Sequence, residues 1–592
     1  MSSKTRCLAT PGHAATLTAG PVRLFDARAH AAGASRRFCA RARDVSLVLA
    51  ASLGLVVGCG DDGQGGPAGR QGEQGLPGPK GPNGDLDSSL STWEKAVAGI
   101  GGQTALNDLT GFTIQANGVR SLRGQGFRYD LAAEDVDRFE TVTSVDLNNE
   151  TIRVDWSRTI LPLGGKSLQY SEIINGNLGY VDGDDSAFGM VASTTDMPSG
   201  RWAAVRKQVA LTNPHVLLHM VNGDPNLARS TGTVLHNGAV YELLEVDGDV
   251  YPITLYVNAK SGRIAKLRTM ENDHLHRDIP IEVHFLDWRS NPGTGADFPL
   301  RVSLTVNGHI WHWEKRTTIT QNPSFTNEFA LPGGSSPTHD PAAAAWGQKS
   351  HQFVQGLASF GIPHNAQQLV VDSSSPLEPG VHFLGGSSHN SMAVEQENGV
   401  VIIEPSLYPE RGEAILAWVE TEIGKPVTHV ILTHHHYDHA GGFRAFVAAG
   451  ASVVVGEPSA ALFAALADAP STINPDAQQS NPQEATIIAV PVGGTHVIAG
   501  TATFPDVTAI HVTSGHAADM VMVHVDRAGG YIFQSDLFNP DAGGNGSALS
   551  PAHASELLNA INGHGLNVPG ATLVGGHGSF APLIQLEDFV LP

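Results

Sequence analysis

The chain has 592 residues, 41 % of them hydrophobic, and a net charge of −22. That length argues for about three to four folding units, and the acidic balance argues against a nucleic-acid partner held by phosphate contacts. Its three cysteines are Cys7, Cys39 and Cys59, which excludes a disulfide framework or a cysteine metal ligand in the body of the protein.

Residues 1–58 read as an export address. Arg36, Arg37, Arg41 and Arg43 precede the apolar run VSLVLAASLGLVV at residues 45–57. The run is too short to span a bilayer and has the layout of a secretory signal. It ends in VVGC at residues 56–59, which resembles a bacterial lipobox. The resemblance implies a lipidated Cys59 that anchors the protein to a membrane in the cell envelope or at the cell surface, without a spanning segment. Cleavage without lipidation is the alternative. The stretch before Arg36 is long for a leader, so the start lies downstream of Met1 or the leader is a twin-arginine one.

Residues 59–87 form a spacer. Gly60, Gly63, Gly66, Gly69, Gly72, Gly75, Gly78, Gly81 and Gly84 fall at every third position. Only glycine fits the axis of three wound polyproline-II chains, so the run resembles collagen. It implies a stalk of about 80 Å and a route to a homotrimer. A disordered Gly/Pro linker is the alternative.

Residues 88–335 are β-rich. A helical signal covers residues 91–109, and beyond it period-2 alternation prevails. Ile152, Val154 and Trp156 share one face, as do Ile253, Leu255 and Val257, and Val302, Leu304 and Val306. Asn237-Gly238, Asp247-Gly248 and Asn307-Gly308 are hairpin dipeptides. The expected structure is an antiparallel meander with one face covered. Its order, a helix and then a long meander, resembles the half-barrel of lipoprotein-carrier proteins, which implies a face able to hold an acyl chain; a packing domain is the alternative. In HIWHW, residues 309–313, alternation sends His312 to the face of Ile310, and Trp311 with Trp313 to the other. Residues 336–376 read as a helical linker, with Asp340 as N-cap, Pro341 at the first helical position and a helix to about Ser359.

From residue 377 to 592 strands and helices alternate, which argues for an α/β layered head with ligands at strand ends. VHFLGG, VVIIEP, VTHVIL, ASVVVGEP, TIIAV, YIFQSD and ATLVGG read as strands; residues 410–423, FRAFVAAG and residues 552–561 read as helices. The strand VTHVIL runs into THHHYDHAGG. In an extended turn, residues i and i+2 point the same way, so His434 and His436 can meet one metal while Asp438 and His439 reach a neighbour. A zinc site needs about four donors. Further donors stand at strand ends: His516 in SGHAAD, Asp536 in FQSD and His577 in GGHG.

HxHxDH, a later GH, a strand-terminal Asp and a final GHG resemble the metallo-β-lactamase superfamily. The resemblance covers residues 377–592 and implies a four-layer αββα sandwich with two divalent metal ions, zinc by default, iron or manganese otherwise. It implies that His434, His436 and His516 bind the first metal, that Asp438, His439 and His577 bind the second, and that Asp536 bridges them. Asp438 is the catalytic candidate. His435 has no place in the pattern and is expected in a supporting or exposed role. His511, His524, His553 and His564 are expected to be non-ligands. One departure stands out: the family's GHTPG turn is here GHAAD.

The expected function is hydrolysis of a small ester, thioester, lactone or lactam by a metal-activated water. The head has only Arg411, Lys425, Arg444 and Arg527 as basic residues, too few for a nuclease. Sulfate or phosphate ester hydrolysis is the enzyme alternative. The other alternative is a non-catalytic lipid-anchored binding protein that uses the half-barrel.

Overall fold

The computed structural model describes residues 85–591 except 188–193, 249–250, 290–294, 332–337, 363–375, 387 and 528. The leader, Cys59 and the glycine-triplet run lie outside the described residues. Among the described residues no helix is long and apolar enough to cross a membrane.

The alternating middle region forms one thirteen-stranded antiparallel sheet. Its first strand, Gly111–Leu122, pairs with its last, His309–Gln321. Alternation has its expected cause: Ile152, Val154, Trp156, Ile253, Leu255, Val257, Val302 and Leu304 are all buried. Asn237-Gly238 and Asn307-Gly308 make two-residue hairpins in the left-handed region, with φ of 48° and 76°, and 47° and 80°. Asp247-Gly248 instead opens a longer connection, because the next strand starts only at Ile253.

Two expectations need correction. Alternation fails at HIWHW. Thr305 pairs with Ile310 but Leu304 pairs with His312, so a bulge absorbs Trp311. Ile310 is exposed while Trp311 and His312 are both buried, and His312 stacks on Phe139. Helix is also not confined to the start of the region. Ser199–Thr212 and Pro214–Gly223 are helices that share the sheet's apolar core. The first of them is buried on nearly every side, Arg201, Arg206 and Lys207 included, so it carries no polar stripe by which period 3.6 is read.

Charge is accommodated by pairing. Asp137 accepts from Arg120 and Arg158, all three buried, and Arg201 bridges Glu172 and Asp185. The helical signal at 91–109 resolves into Thr92–Gly99 and Gln103–Asp108, split where Gly101 and Gly102 take positive φ. Asp340 caps the linker as expected, accepting from Ala342 and Ala343 N–H, and Pro341–Lys349 is followed by His351–Ser359. The linker helices also lie on the sheet: His351 bonds Glu271, and Gly347 packs so tightly on Gly200 that a Cβ would meet its carbonyl oxygen at 2.1 Å.

These pairs make the β region acid-sensitive. Burial alone would raise Glu271 and Glu314. His351 and Lys207 beside the first, and Arg316 and His312 beside the second, instead hold each at about 2 against an ordinary 4.5. A carboxylate lowered by folding stabilises the fold fully above its unfolded pKa and loses that contribution as pH falls through its folded one. Each is expected to contribute on the order of 2–3 kcal/mol at neutral pH, lost as pH falls from about 4.5 toward 2. Denaturant midpoints followed by tryptophan fluorescence report this region, which holds six of the eight tryptophans. A midpoint that stays flat between about pH 5 and pH 3 would rule the contribution out.

The head has two sheets of seven and six strands. In the first, Gly399–Ile403, Val427–Ile431, Ser452–Gly456 and Ile487–Val490 run parallel. In the second, Tyr531–Phe533 runs parallel to Thr572–Val574. One apolar core joins Val401, Ile431 and Val454 of the first sheet to Val507, Val523 and Phe533 of the second. A second core joins the first sheet to helices Pro409–Glu422 and Phe443–Ala448. A third joins the second sheet to Pro551–Gly563 and Ile584–Val590. The β region meets the head at residues 470–473, where Asp278 accepts from Thr472 N–H and Oγ and from Ile473 N–H, and Arg277 donates to Ser471.

Candidate metal centre

Each buried parallel strand ends where its apolar run ends, and the polar residues that follow gather at one edge of the two sheets. Val427–Ile431 delivers residues 434–439, Tyr531–Phe533 delivers Asp536, and Thr572–Val574 delivers His577. His516 comes from the connection between Val507–His511 and Val521–Val525. His434, His436, His516 and Asp536 form one group whose ligand atoms lie within 4.8 Å of one another, and His389, Asp438, His439 and His577 form a second. All seven residues expected from the sequence are therefore in the two groups. His511, His524, His553 and His564 are in neither.

Asp536 faces both groups. Its Oδ2 lies 3.1 Å from His439 Nε2, 3.3 Å from His516 Nε2 and 3.8 Å from His434 Nε2, and its Oδ1 lies 3.2 Å from His577 Nε2. The neighbouring Ser535 turns the chain at φ 59° to aim it. Glu404 at φ 61° and Leu407 at φ 69° also border the site. Among the described residues of the head these are all the non-glycine residues in the left-handed region, a conformation that costs on the order of 1–3 kcal/mol each and concentrates at functional sites.

The donor set fits a cation. His434 Nε2 and His516 Nε2 point at each other across 3.2 Å, close enough for one cation to take both lone pairs. His439 Nε2 and Asp536 Oδ1 are buried without a hydrogen bond. The outer nitrogens are already engaged, as ligating imidazoles require. His439 Nδ1 donates to Glu404 at 2.8 Å, and His577 Nδ1 donates to the Ser388 carbonyl at 2.6 Å. Burial and neighbouring imidazoles push His434 and His436 well below the usual histidine range. Burial also opposes charge on His439, yet Asp536, Glu404 and Asp438 hold it well above that range. Burial likewise disfavours the charged form of Asp536, but His439 and His577 hold its carboxyl well below the usual value.

Three contributions escaped sequence reasoning. His389 completes the second group, with Nε2 3.2 Å from Asp438 Oδ2. A lone histidine in SSHNS has no spacing that marks it. Glu404, fully buried, accepts from His439 and from Thr433 Oγ1; an acid ending the apolar strand VVIIEP was the available signal. His435 and the GHAAD departure explain each other: His435 is buried and bonds Asp519 across 2.6 Å.

Residues 384–577 match the family model described as Metallo-beta-lactamase superfamily. No curated protein matches the chain. Among solved structures, a metallo-beta-lactamase from Pontibacter korlensis is 19 % identical, covering 37 % of this chain and 97 % of its own, with a TM-score of 0.28. One from Hirschia baltica is also 19 % identical, covering 37 % of this chain and 96 % of its own at a TM-score of 0.28. FIM-1 from Pseudomonas aeruginosa, in its mono-zinc form, is 17 % identical, covering 38 % and 95 % at a TM-score of 0.29. The segment that carries His389, the HxHxDH loop, His516, Asp536 and His577 is a metallo-β-lactamase superfamily domain.

Proposed function

We propose that the chain is a metal-dependent hydrolase whose head has the four-layer αββα arrangement and holds two divalent cations, zinc by default. The observation that carries this is the pair of donor groups that share Asp536. His434, His436 and His516 would hold one cation, His389, Asp438, His439 and His577 the other, and Asp536 would touch both. Bound there, the cations would supply an activated water at neutral pH and polarise the attacked oxygen. The protein's part is to fix ligand orientation through Glu404, Ser388 and Thr433 and to keep the donors out of bulk water.

The substrate class we propose is a small ester, thioester, lactone or lactam. All four basic residues of the head are engaged elsewhere. Arg444 binds Asp476, Arg411 binds Ser406 and backbone carbonyls, Lys425 binds the Gln396 carbonyl, and Arg527 binds Glu378. An anionic sulfate or phosphate ester would find no unengaged lysine or arginine in the head. The binding-protein alternative has less support, because the chain's own helices pack into the core on the sheet's apolar face. The lipid anchor at Cys59, the collagen-like stalk, its trimer and the surface location are part of the same proposal and rest on residues 36–84 alone.

Elemental analysis of the full-length protein, with hydrolysis assays across ester, thioester, lactone and lactam panels, tests the reading. About two metals per chain and metal-dependent turnover are expected. Failure to retain any metal after loading with zinc, iron or manganese would refute it.

A further inference from the structure

The sheet's hairpin connections differ widely in length. Two residues join Lys166–Asn175 to Leu178–Asp184, and two-residue turns stand at Asn237-Gly238 and Asn307-Gly308. Between Gly111–Leu122 and Glu134–Asp146 the loop instead runs over residues 123–133. It is the longest connection between hairpin-paired strands of the sheet, and long loops are where function concentrates.

This loop reaches into the head at the donor groups. Gln125 Nε2 donates to Asp438 Oδ1 at 2.7 Å. The Gly126 carbonyl lies 3.1 Å from His436 Nε2; a carbonyl only accepts, so that nitrogen carries the proton. Ala518, in the His516 connection, donates its N–H to the Phe127 carbonyl at 2.7 Å. Tyr129 sets its ring edge-on to His435, 6.2 Å between centroids, behind the His435–Asp519 pair. The loop thus touches the HxHxDH segment at three residues and the GHAAD segment at one.

We infer that the β region supplies the outer wall of the metal centre in cis, and that Gln125 and the Gly126 backbone are positioning residues for its ligands. The inference rests on the hydrolase reading above. With Oδ1 of Asp438 occupied by the Gln125 amide, Oδ2 is turned toward His389 and His439, 3.2 and 3.7 Å away. With the proton of His436 fixed on Nε2 by Gly126, its Nδ1 lone pair is the one free to ligate. One ligand in each group is therefore oriented by a segment about 310 residues earlier in the chain. This couples metal binding in the head to the fold of the sheet and gives the middle region a role beyond spacing.

The test compares full-length wild type with Gln125→Ala and Gln125→Met, each loaded with zinc and titrated with a chromophoric chelator. Methionine keeps the length of glutamine and removes only the donor. Both variants are expected to hold one of the two metals about 10- to 100-fold more weakly, with the other metal and the tryptophan-monitored unfolding of the metal-free protein unchanged. Wild-type affinity in Gln125→Ala overturns the inference. So does loss in Gln125→Ala with full retention in Gln125→Met, since packing and not the donated hydrogen bond would then be at work. A wild type that takes up none of zinc, iron and manganese refutes the underlying hydrolase reading, and that outcome is told apart because it does not depend on the variants.

Discussion

Asp536→Ala is expected to release both metals and to lower hydrolysis by at least ~10³-fold, equivalent to ~4 kcal/mol of transition-state stabilisation. The two oxygens of this carboxylate face imidazoles of both donor sets, His434 and His516 on one side, His439 and His577 on the other. Without it, His434 and His516 lose the carboxylate they face, and of the donor-group carboxylates His439 and His577 keep only Asp438. The charged form of His439, favoured first of all by Asp536, loses its main support, and two cations brought close together lose the negative charge that screens them from each other. The fold should survive, because Leu537 and Phe538 pack into an apolar core that the carboxylate does not enter. Metal analysis, turnover and tryptophan fluorescence on the same preparation check this. Wild-type metal content together with wild-type turnover in Asp536→Ala would remove the shared-carboxylate mechanism. Loss of the tryptophan signal as well would mean that the change had unfolded the chain and not merely emptied the site.

What the sequence made legible was what is local and periodic. THHHYDH, SD and GHG stand directly after apolar runs, so strand ends and ligands could be read together, and the later donors join the groups that the family resemblance implies, His516 beside His434 and His436, and His577 beside Asp438 and His439. Asn237-Gly238 and Asn307-Gly308 declared their turns because positive φ selects those residues. What stayed hidden was non-local or non-periodic. His389 is one histidine among twenty-seven, and only the stitching of its loop to the His577 loop places it. Gln125 belongs to another region altogether, and nothing in GQGF points at a carboxylate far along the chain. Ser199–Thr212 buries charges that a pattern of polarity assigns to solvent, since their partners Glu172 and Glu271 lie on strands and Asp185 just past the end of one. At Trp311 a single bulged residue put two successive side chains inside, where alternation allows one.

The role of His389 follows from how firmly it is held. Ser388 Oγ and His389 Nδ1 are 2.8 Å apart, and Arg411 donates to the His389 carbonyl at 3.2 Å. The next residue, Asn390, donates its side-chain amide to the Gly575 and Gly578 carbonyls on either side of His577. The His389 ring is fully buried, 4.2 Å from that of His577 and 4.7 Å from that of His439 between centroids. Burial, then the nearby His577, push its pKa down to about 3, which favours the neutral ring; Nε2–H faces Asp438 without a cation, and moving the proton to Nδ1, toward Ser388, would turn the Nε2 lone pair to a cation. His389→Ala is therefore expected to weaken the second metal by on the order of 100-fold while the first stays bound, and His389→Gln, which can hydrogen-bond Asp438 but offers no imidazole nitrogen, should not restore it. Recovery of affinity in the glutamine variant would make His389 an orienting partner of Asp438 instead. Unchanged affinity in the alanine variant would reduce it to packing, and the second cation would then rest on Asp438, His439 and His577 with Asp536 alone. The choice matters for chemistry, because each added protein donor takes a position that water or substrate would otherwise fill, and a fully supplied second centre would leave the open position of the reaction on the cation held by His434, His436 and His516.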